Sequence, residues 1–341
     1  MRVGVVGCGY WGSKHARVFQ SIPAVEGVVV IDESQRRTEE MLALYPGMQA
    51  FASLELAAPH LDAVVIATPP RTHATLGLQA LRLGLHALVE KPLAVTVEDS
   101  LALMREAELV DRTLMVGHTF EYNAAVWALK DLVQSGSLGE TYYVDSARLN
   151  LGLYQTDVNV LWDLAPHDIS IMNFVLGRSP DAVQAWGACH AHRSLEDVAY
   201  IRLYYRELNV TAQIHVSWLD PCKVRRTTVV GSQKMAVYND LSSEERLRVY
   251  DKGVDIPHPD EPPGSIPLSY RQGDITSPHI RFEEPLRLEA EDFIRSIASK
   301  SEPVASPRAG LAVVQVLEAA DQSLRGGHTV ELRDVMERAT G

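Results

Sequence analysis

The sequence predicts an α/β protein of two domains: a doubly wound parallel sheet at the N-terminal end, then a domain built on a mainly antiparallel sheet. The length of 341 residues suits two domains, because single domains typically hold about 100–200 residues. Up to Tyr122, short apolar runs alternate with helical patterns, which is typical of parallel strands covered on both faces. From Thr141 onward apolar and polar residues alternate, which indicates half-buried antiparallel strands.

The N-terminal domain is predicted over residues 1–122. Its strands are predicted at Arg2–Val6, Gly27–Ile31, Ala63–Ala67, His86–Glu90 and Thr113–Val116. Its helices are predicted at Ser13–Ser21, Arg36–Tyr45, Thr75–Leu83 and Val97–Leu109. Because crossovers between parallel strands are right-handed, these elements form one sheet with helices on both faces.

The C-terminal domain is predicted over residues 123–341, where the pattern has changed. Its strands are predicted at Thr141–Leu149, Val198–Tyr205 and Val210–Trp218, with a hairpin over Arg226–Tyr238 that turns at Gly231-Ser232. Its helices are predicted at Ala124–Val133, Asp163–Leu176, Leu286–Ala298 and Ala309–Ser323. Residues Asp255–Pro285 are rich in proline and polar side chains and are predicted to form a long loop.

The composition excludes several classes of protein. With 46% apolar and 22% charged residues, the chain can bury a large core and is not disordered. A net charge of −12 argues against attraction to nucleic acid or to an anionic membrane through the overall field. The sequence has no apolar run of about 18 residues, so no membrane span is expected. Met1–Val6 leads straight into a glycine turn, which predicts a first strand and not a signal peptide.

The three cysteines, Cys8, Cys189 and Cys222, are odd in number and lack CxxC spacing. They indicate reduced thiols in a cytoplasmic protein, not a disulfide framework or a zinc site. Only Asp163 and His167 show a spacing that metal ligands use, and no metal is expected.

Three glycines, Gly7, Gly9 and Gly12, have the spacing GxGxxG between the first predicted strand and the first helix. Gly7 permits a tight turn, Gly9 lets the backbone approach a pyrophosphate, and Gly12 allows close helix–strand packing. The start of the helix, with Tyr10 and Trp11, offers N–H groups and the positive end of the helix dipole to phosphates. The motif predicts a Rossmann dinucleotide site, and a glycine turn without a ligand is the alternative.

Asp32 ends the second predicted strand, 20 residues after Gly12. A carboxylate at that place can bind the hydroxyls of the adenosine ribose. It repels a 2′-phosphate, so we expect NAD in preference to NADP. Arg36 and Arg37 follow closely and keep NADP open as the less favoured cofactor.

A lysine follows the fourth predicted strand, in the sequence Glu90-Lys91-Pro92. The carboxyl ends of strands are where open α/β sheets bind ligands. The proline biases Lys91 away from helical geometry and helps to fix its direction. On these residues alone, Lys91 is either a ligand-site residue or a solvated loop lysine.

Together these pieces resemble the Gfo/Idh/MocA family of oxidoreductases. The matching segments keep the family's order and spacing: Gly7–Gly12, Thr68-Pro69-Pro70 with His73, Glu90-Lys91-Pro92, and Asp163 with His167. The resemblance implies a Rossmann domain, then an α/β domain on a large open antiparallel sheet for substrate binding and oligomerisation. It also implies hydride transfer between a nicotinamide and a hydroxyl-bearing carbon, commonly of a sugar or cyclitol.

The resemblance implies roles for single residues. Lys91 matches the family lysine near substrate and nicotinamide, and Asp163 and His167 match an aspartate and a histidine that face the substrate. The residues expected to contact the cofactor outside the glycine turn are Asp32, Thr68, Pro69, His73, Glu90 and Lys91.

The expected chemistry removes a hydride to the nicotinamide and a proton to a base. A histidine has an ordinary pKa of about 6.5, which suits His167 to accept a proton near neutrality. Asp163 and His167 lie one helical turn apart and share a face, so Asp163 can bind a substrate hydroxyl or orient the imidazole. Lys91 can relay the proton instead, and the sequence leaves open which of Lys91 and His167 is the base.

A finer resemblance, to nucleotide-sugar and surface-polysaccharide members, lies in Val116–Asn123, Arg148–Gly152, Val216–Pro221 and Tyr270–Ile275. It implies a UDP-sugar 3-dehydrogenase. The residues expected to line the sugar pocket are Arg148, Asn150, Tyr154 and Asn159, and the cations available for a diphosphate are Lys223, Arg225, Arg226 and Arg271. For Lys223–Arg226 a solvated strand start is the alternative, and His118 and Asn123 either border the nicotinamide or have core or hinge roles.

Two other functions stay open at this point: an inositol or free-sugar dehydrogenase, and a non-catalytic NAD-sensing regulator. In each case the partner is a small molecule, and no nucleic acid or membrane is expected. We also expect a homo-oligomer, a dimer or tetramer, because a large open antiparallel sheet needs its exposed face covered.

Overall fold

The computed structural model describes residues 1–152, 154–155, 158–191, 193–255 and 269–340. The chain divides into two compact units. The first holds Met1–Asn123, Glu283–Glu318 and the chain from Asp334 onward, and the second holds Ala124–Phe282 and Ala319–Arg333. Among the described residues, no helix is long and apolar enough to cross a membrane.

The first unit is built on a six-stranded parallel sheet. Its strands are β1 (Arg2–Val6), β2 (Gly27–Ile31), β3 (Gln49–Phe51), β4 (Ala63–Ile66), β5 (His86–Glu90) and β6 (Leu114–Gly117). They lie in the order β3-β2-β1-β4-β5-β6, with reversal beside β1 as in doubly wound sheets. β4 is buried along its whole length, as expected of a strand covered on both faces.

Helices join these strands. They are α1 (Tyr10–Gln20), α2 (Gln35–Leu44), α3 (Leu54–Ala57), α4 (His73–Arg82) and α5 (Val97–Leu109). The sequence predicted every strand except β3 and every helix except α3, which are the shortest of their kind here. α1 begins three residues earlier than predicted, because the glycine turn leads directly into it.

The second unit is built on a nine-stranded sheet. Its helices are α6 (Ala124–Gln134) and α7 (Val160–Leu176). Its strands are β7 (Thr141–Leu151), β8 (Ala182–Ala188), β9 (Val198–Tyr205), β10 (Val210–Ser217), β11 (Leu219–Gly231), β12 (Met235–Asn239), β13 (Leu247–Asp255), β14 (Ser269–Thr276) and β15 (Val330–Glu331). They lie in the order β14-β13-β12-β11-β7-β10-β9-β8-β15. Among the described pairs, β7 and β10 run parallel and the others antiparallel, which confirms the predicted mainly antiparallel sheet.

The predicted long loop at Asp255–Pro285 is partly wrong. Asp255 ends β13, and Ser269–Thr276 forms β14, which pairs with it. β14 is an exposed edge strand whose pairing uses backbone groups, so its side chains carry little of the alternation that marks a half-buried strand. Residues 256–268 of the predicted loop lie outside the described residues.

The C-terminal helices are α8 (Pro285–Ser299), α9 (Pro307–Gly326) and α10 (Leu332–Thr340). α8 belongs to the first unit, although the sequence predicted residues 123–341 as one domain. Two contacts link α8 to the rest of the first unit. Phe19 of α1 meets Phe293 edge-on at 6.4 Å between ring centroids, and the Tyr122 hydroxyl donates to Asp292 at 2.6 Å. The grouping of α8 depends on contacts with residues more than 150 positions away, which the local pattern does not report.

Candidate active site

The glycine turn between β1 and α1 has the geometry that a dinucleotide requires. Gly7 has φ +94°, a left-handed conformation that favours glycine, and its N–H donates to the Ile31 carbonyl at 2.8 Å. A Cβ on Gly12 would lie 1.8 Å from the Gly7 carbonyl oxygen. A Cβ on Gly9, the N-cap of α1, would meet none of the described atoms within 4 Å. Open space therefore lies in front of a helix N-terminus, as a pyrophosphate site needs.

Asp32 at the end of β2 is fixed toward this turn. Its carboxylate accepts the Cys8 N–H at 2.8 Å and the Ser34 N–H at 2.9 Å. Arg37 lies 3.7 Å from the same carboxylate, while Arg36 pairs with Glu40 along α2. A carboxylate has about four lone-pair sites, so Asp32 keeps acceptor capacity for ribose hydroxyls. The structure therefore places the predicted carboxylate beside the glycine turn, with Arg37 close to it.

The two side chains at the start of α1 are exposed. Tyr10 is 73% and Trp11 38% exposed, and their rings meet edge-on at 5.6 Å. Lys14 lies over the Tyr10 ring, 4.6 Å from its centroid, a cation–π contact. The arrangement leaves both aromatic rings accessible to a ligand at the helix start.

His73 braces two loops of the site. It is 1% exposed, and its ring nitrogens lie 2.7 Å from the Pro92 carbonyl oxygen and 2.9 Å from the Thr68 carbonyl oxygen. The Thr72 hydroxyl donates to the Thr68 hydroxyl at 2.7 Å. Burial lowers the pKa of His73, against the raising effect of its hydrogen bonds to the Pro92 and Thr68 carbonyls. We revise its role from cofactor contact to a brace between the loops that follow β4 and β5, because its buried nitrogens face backbone carbonyls.

Glu90 is also buried, directly before Lys91. One carboxylate oxygen lies 2.8 Å from Nε2 of His15, and the other accepts the Lys91 N–H at 3.1 Å. Burial would raise the pKa of Glu90, but the hydrogen bond and charge of His15 and the charge of Lys91 outweigh it, and the pKa is lowered. The Lys91–Pro92 peptide bond is cis. Glu90, predicted as a cofactor contact, has both oxygens engaged within the protein.

The sequence prediction missed His15. The available signal was its position on α1, where it follows Gly12 on the face that also buries Ala16 and Phe19. A histidine on the apolar face of the first helix needs a polar partner, and that partner lies 75 residues away.

His118 and Glu289 add two buried groups near Glu90. His118 follows β6, is 1% exposed, and neither ring nitrogen has a hydrogen-bond partner among the described residues. Burial, together with the charge of Lys91, lowers the pKa of His118 to about 4 against the raising effect of Glu90. Glu289 on α8 accepts the Thr119 hydroxyl at 3.1 Å, and burial with the charge of Glu90 raises its pKa well above the usual range. His118 is therefore neutral near pH 7, and burial favours the protonated form of Glu289.

In the second unit, helix α7 holds the predicted substrate-facing pair. Asp163 and His167 are half-buried and lie one turn apart on α7. The Trp218 indole donates to Asp163 at 2.9 Å, and the Tyr154 ring lies 5.3 Å from the Trp218 ring. A Cβ on Gly152 would lie 2.9 Å from Trp218 and 3.3 Å from the Asn150 amide, so these side chains are neighbours. The cluster combines hydroxyl-binding groups with an aromatic surface, which suits a sugar.

Asn159 is the N-cap of α7. Its side-chain oxygen accepts the Trp162 N–H at 3.2 Å, and its nitrogen donates to Glu196 at 2.8 Å and to Asp321 at 3.5 Å. We therefore revise its predicted role from substrate contact to helix cap, since its buried amide is used within the protein.

Arg148 forms a buried ion pair with Asp168 of α7. Its Nε donates to one carboxylate oxygen at 2.6 Å, and a terminal nitrogen lies 3.4 Å from the other. Ser146 donates to the same carboxylate at 2.6 Å. Burial opposes the charge on Arg148, but the Asp168 carboxylate outweighs it and raises the pKa of Arg148. Arg148, which the sequence predicted as a sugar contact, links α7 to β7 through this pair.

The four cations predicted for a diphosphate differ in their surroundings. Arg225 pairs with Asp240 at 3.2 Å and Arg271 with Asp251 at 3.1 Å. Lys223 and Arg226 are exposed on β11. For Arg225 this pairing favours the solvated-strand alternative.

Two sequence profiles decide the family. The profile of the oxidoreductase family with an NAD-binding Rossmann fold matches residues 1–118, and that of the GFO/IDH/MocA C-terminal domain matches residues 126–237. The chain belongs to the Gfo/Idh/MocA family. It is an NAD-binding oxidoreductase of the dehydrogenase type, which confirms the resemblance on which the sequence prediction depended.

Individual relatives in this family act on sugars and cyclitols. UDP-N-acetylglucosamine 3-dehydrogenase of Acidithiobacillus ferrooxidans is 28% identical over 339 residues, 95% of this chain and 99% of that protein. Myo-inositol 2-dehydrogenase of Thermotoga maritima is 22% identical over 98% of this chain and 100% of that protein. Inositol 2-dehydrogenase of Rhodococcus erythropolis is 33% identical, but over 54% of this chain and 55% of that protein.

Solved structures of family members have the same fold. The Acidithiobacillus ferrooxidans UDP-N-acetylglucosamine 3-dehydrogenase superposes with a TM-score of 0.80, at 24% identity over 96% of this chain and 98% of that chain. An oxidoreductase of Magnetospirillum magnetotacticum superposes with a TM-score of 0.77, at 29% identity over 93% of this chain and 98% of that chain.

The expected catalytic residues are shared between the units. Lys91 lies in the first unit, and Asp163 and His167 lie in the second. That the three meet at one nicotinamide stays a prediction.

Proposed function

We propose that this Gfo/Idh/MocA protein is an NAD-dependent dehydrogenase that oxidises a secondary hydroxyl of a sugar, with a UDP-sugar as the substrate. The observation that carries the proposal is the carboxyl edge of the parallel sheet. There the open space before α1, the Asp32 carboxylate and the Lys91 loop follow β1, β2 and β5 of one sheet. Ligands of open α/β sheets bind at this edge.

The residues present fit NAD. Gly9 leaves room for a pyrophosphate at the N-terminus of α1, and Asp32 offers acceptors for the adenosine ribose. Bound NAD⁺ would supply the hydride acceptor. Asp32 favours NAD over NADP because its negative charge repels a 2′-phosphate, even though Arg37 at 3.7 Å offsets part of that charge.

The protein's own groups would handle the proton. As the substrate carbon loses a hydride, its hydroxyl loses a proton to Lys91 or His167, and the alcohol becomes a ketone. Asp163, held by the Trp218 indole, would bind a neighbouring hydroxyl or orient His167. Each turnover therefore yields one ketone, one NADH and one proton.

The substrate class is supported by the full-length similarity to UDP-N-acetylglucosamine 3-dehydrogenase and by the exposed cations Lys223 and Arg226. A diphosphate needs such charges, whereas an inositol does not. Inositol or a free sugar is the second candidate, favoured by the inositol dehydrogenases among the relatives.

A turnover screen tests the proposal. Purified protein with NAD⁺ is offered UDP-sugars, free sugars and inositols, and the absorbance of reduced nicotinamide is followed. We expect turnover with a UDP-sugar, loss of turnover with Lys91→Ala, and little change of NAD⁺ affinity in that variant. Lys300→Ala is the matched control, because Lys300 is exposed and pairs with Asp111, before β6. NAD⁺ binding without turnover of any member of the panel would favour an NAD-sensing regulator, and turnover of inositol alone would overturn the UDP-sugar assignment.

The proposal includes a cytoplasmic homo-oligomer. Cys8, Cys189 and Cys222 are free thiols, as expected in a reducing compartment. One face of the nine-stranded sheet carries a row of aromatic rings: the Trp186 ring lies 5.7 Å from that of Tyr200, which stacks on His215 at 4.1 Å. Trp186 is 59% exposed, and an apolar face of this kind favours a partner subunit.

Sedimentation velocity tests the oligomer. We expect a dimer or tetramer at micromolar concentration and dissociation in Trp186→Glu. Leu109→Glu, on an exposed position of α5, is the control and should leave the assembly intact. A monomeric wild-type protein would contradict the assignment.

A further inference from the structure

A buried pair of ionisable side chains lies directly behind Lys91. His15 on α1 is fully buried, and the side chain of Glu90 at the end of β5 is 7% exposed. The His15 Nε2 lies 2.8 Å from one Glu90 oxygen, and the other oxygen accepts the Lys91 N–H at 3.1 Å. The carboxylate therefore connects the first helix of the cofactor site to the backbone of Lys91.

The neighbouring strand leaves room for this carboxylate. Gly117 of β6 pairs with Glu90 in the strand register. A Cβ at Gly117 would lie 3.2 Å from the Glu90 carboxylate oxygen and 3.1 Å from its Cα, closer than most side-chain contacts. The packing is thus shaped around a carboxylate at this position.

Stability alone does not explain a buried, hydrogen-bonded pair of ionisable side chains. Removing charges from water is costly, and apolar residues of similar volume are often as stabilising as the pair they replace. A pair kept at the ligand edge of the sheet, one residue before the expected catalytic lysine, points to a role in the site.

The charges around Glu90 make its effect on Lys91 definite. The groups that face it are His15 on α1, His73 on α4, His118 after β6 and Glu289 on α8, besides Lys91 itself. His118 is neutral near pH 7, because burial lowers its pKa to about 4, and burial raises the pKa of Glu289. Burial also lowers the pKa of His73. Glu90 is thus a buried carboxylate whose charge interacts with that of Lys91.

We propose that Glu90 and His15 are positioning residues for Lys91: the buried carboxylate fixes the Lys91 backbone and holds a negative charge beside its side chain. The catalytic meaning of this arrangement depends on the proposed function, in which Lys91 handles the substrate proton. A neighbouring negative charge favours the ammonium form of an amine, and variants of Glu90 and His15 test this effect on Lys91. His15 acts through Glu90, because its hydrogen bond keeps the buried carboxylate ionised.

The test measures the protonation of Lys91 directly. Competitive acetylation across neutral to alkaline pH, quantified on the Lys91 peptide by mass spectrometry, reports the fraction of neutral amine. Glu90→Gln keeps the side-chain shape and an oxygen for the Lys91 N–H but removes the charge. We expect the acetylation midpoint of Lys91 to fall to a lower pH in this variant, because a charge that favours the ammonium form is removed.

His15→Gln is a second variant, which tests the proposal even if Glu90→Gln does not fold. Without the imidazole, burial favours the neutral form of Glu90, so the Lys91 midpoint should also fall. His86→Gln is the matched control, because His86 lies at the other end of the same strand and accepts the Thr113 N–H at 2.9 Å. In His86→Gln the acetylation midpoint of Lys91 should equal that of the wild type. Lower thermal stability in both variants with an unchanged midpoint would overturn the proposal and leave the pair a purely structural one.

The kinetic arm separates this inference from the proposed function. Where the wild type turns over a sugar, the acid limb of its pH–rate profile should move to lower pH in Glu90→Gln, with the KM for NAD⁺ little changed. A wild type that turns over no sugar defeats the proposed function, while the acetylation result still decides the role of Glu90. A shifted acetylation midpoint with an unshifted pH–rate profile would overturn the catalytic part, because Lys91 would then not be the group that limits the rate.

Discussion

Two alanine substitutions in the glycine turn are expected to have opposite effects on folding and binding. Gly9 and Gly12 lie three residues apart, but their surroundings differ. A Cβ at Gly9 would meet none of the described atoms within 4 Å, whereas a Cβ at Gly12 would lie 1.8 Å from the Gly7 carbonyl oxygen. The first site is open and the second is filled by backbone.

Gly9→Ala should fold and lose cofactor affinity. Gly9 has φ −80°, which alanine adopts without strain. The loss of a glycine N-cap, about 0.5–1 kcal/mol, is offset by the lower entropy of the unfolded chain, about 0.4–1 kcal/mol. The methyl group would occupy the space expected for the pyrophosphate. Losing one charge-assisted hydrogen bond costs about 1.5–3 kcal/mol, which raises the Kd for NAD⁺ about 10- to 100-fold.

Gly12→Ala should instead destabilise the fold. The Gly7 carbonyl belongs to a left-handed residue whose N–H is held by Ile31, so it cannot move away easily. Overpacking of this kind costs about 1–3 kcal/mol, and a backbone clash at 1.8 Å places the cost at the upper end or beyond.

Thermal unfolding and titration calorimetry with NAD⁺ separate the two variants. We expect Gly9→Ala to unfold within a few degrees of the wild type and to bind weakly, and Gly12→Ala to unfold well below it. Wild-type NAD⁺ affinity in a folded Gly9→Ala variant would refute the reasoning, because the pyrophosphate would then lie elsewhere.

Three further predictions concern single charged or titratable groups. Asp32→Asn keeps an acceptor but removes the charge, so the NADP⁺/NAD⁺ affinity ratio should rise about tenfold or more in calorimetry, and an unchanged ratio would show that charge does not select the cofactor. Arg148→Leu leaves Asp168 buried without its ion pair and should lower the free energy of unfolding by about 3–5 kcal/mol in urea melts, while a stable variant with only a raised substrate KM would restore the predicted sugar contact. Because the folded pKa of His118 is about 4 and a free histidine titrates near 6.5, the unfolded chain binds more protons between these values, and stability is lost as pH falls through that window. His118→Leu should remove roughly 3 kcal/mol of this acid sensitivity, and equal pH dependence in both proteins would contradict the assignment.

The parallel sheet and its cofactor edge were predictable because their signals are local. β1, β2 and β5 have the predicted bounds, since fully covered strands are continuous apolar runs. The spacing from Gly7 to Gly12 and the position of Asp32 follow from steric demands within one turn and one strand end. No partner outside the first 32 residues was needed to infer them.

The roles of polar side chains were less predictable because their partners are distant. Arg148 and Asn159 were expected to face a sugar, as polar residues just before the Asp163 helix. In the structure Arg148 pairs with Asp168 and Asn159 caps α7, contacts that depend on how a strand and a helix pack. Sequence spacing does not show whether a polar group in a pocket-forming segment faces a ligand or another side chain. The edge strand β14 was missed for a related reason. Hydrogen bonds between its backbone and that of β13 hold it in place, and its side-chain pattern does not show them.

Three buried polar side chains of the first unit lie near the carboxyl ends of its strands. His73, Glu90 and His118 are each at most 6% exposed. Glu90 ends β5, His118 directly follows β6, and His73 begins α4, the helix after β4. Apolar side chains there would avoid the desolvation of a carboxylate and of imidazoles, one of which has no partner among the described residues. A sequence selected for stability alone would not place three such groups beside the same edge. Their concentration around the Lys91 loop therefore supports a functional demand on that loop, independently of the glycine motif that first indicated a cofactor site.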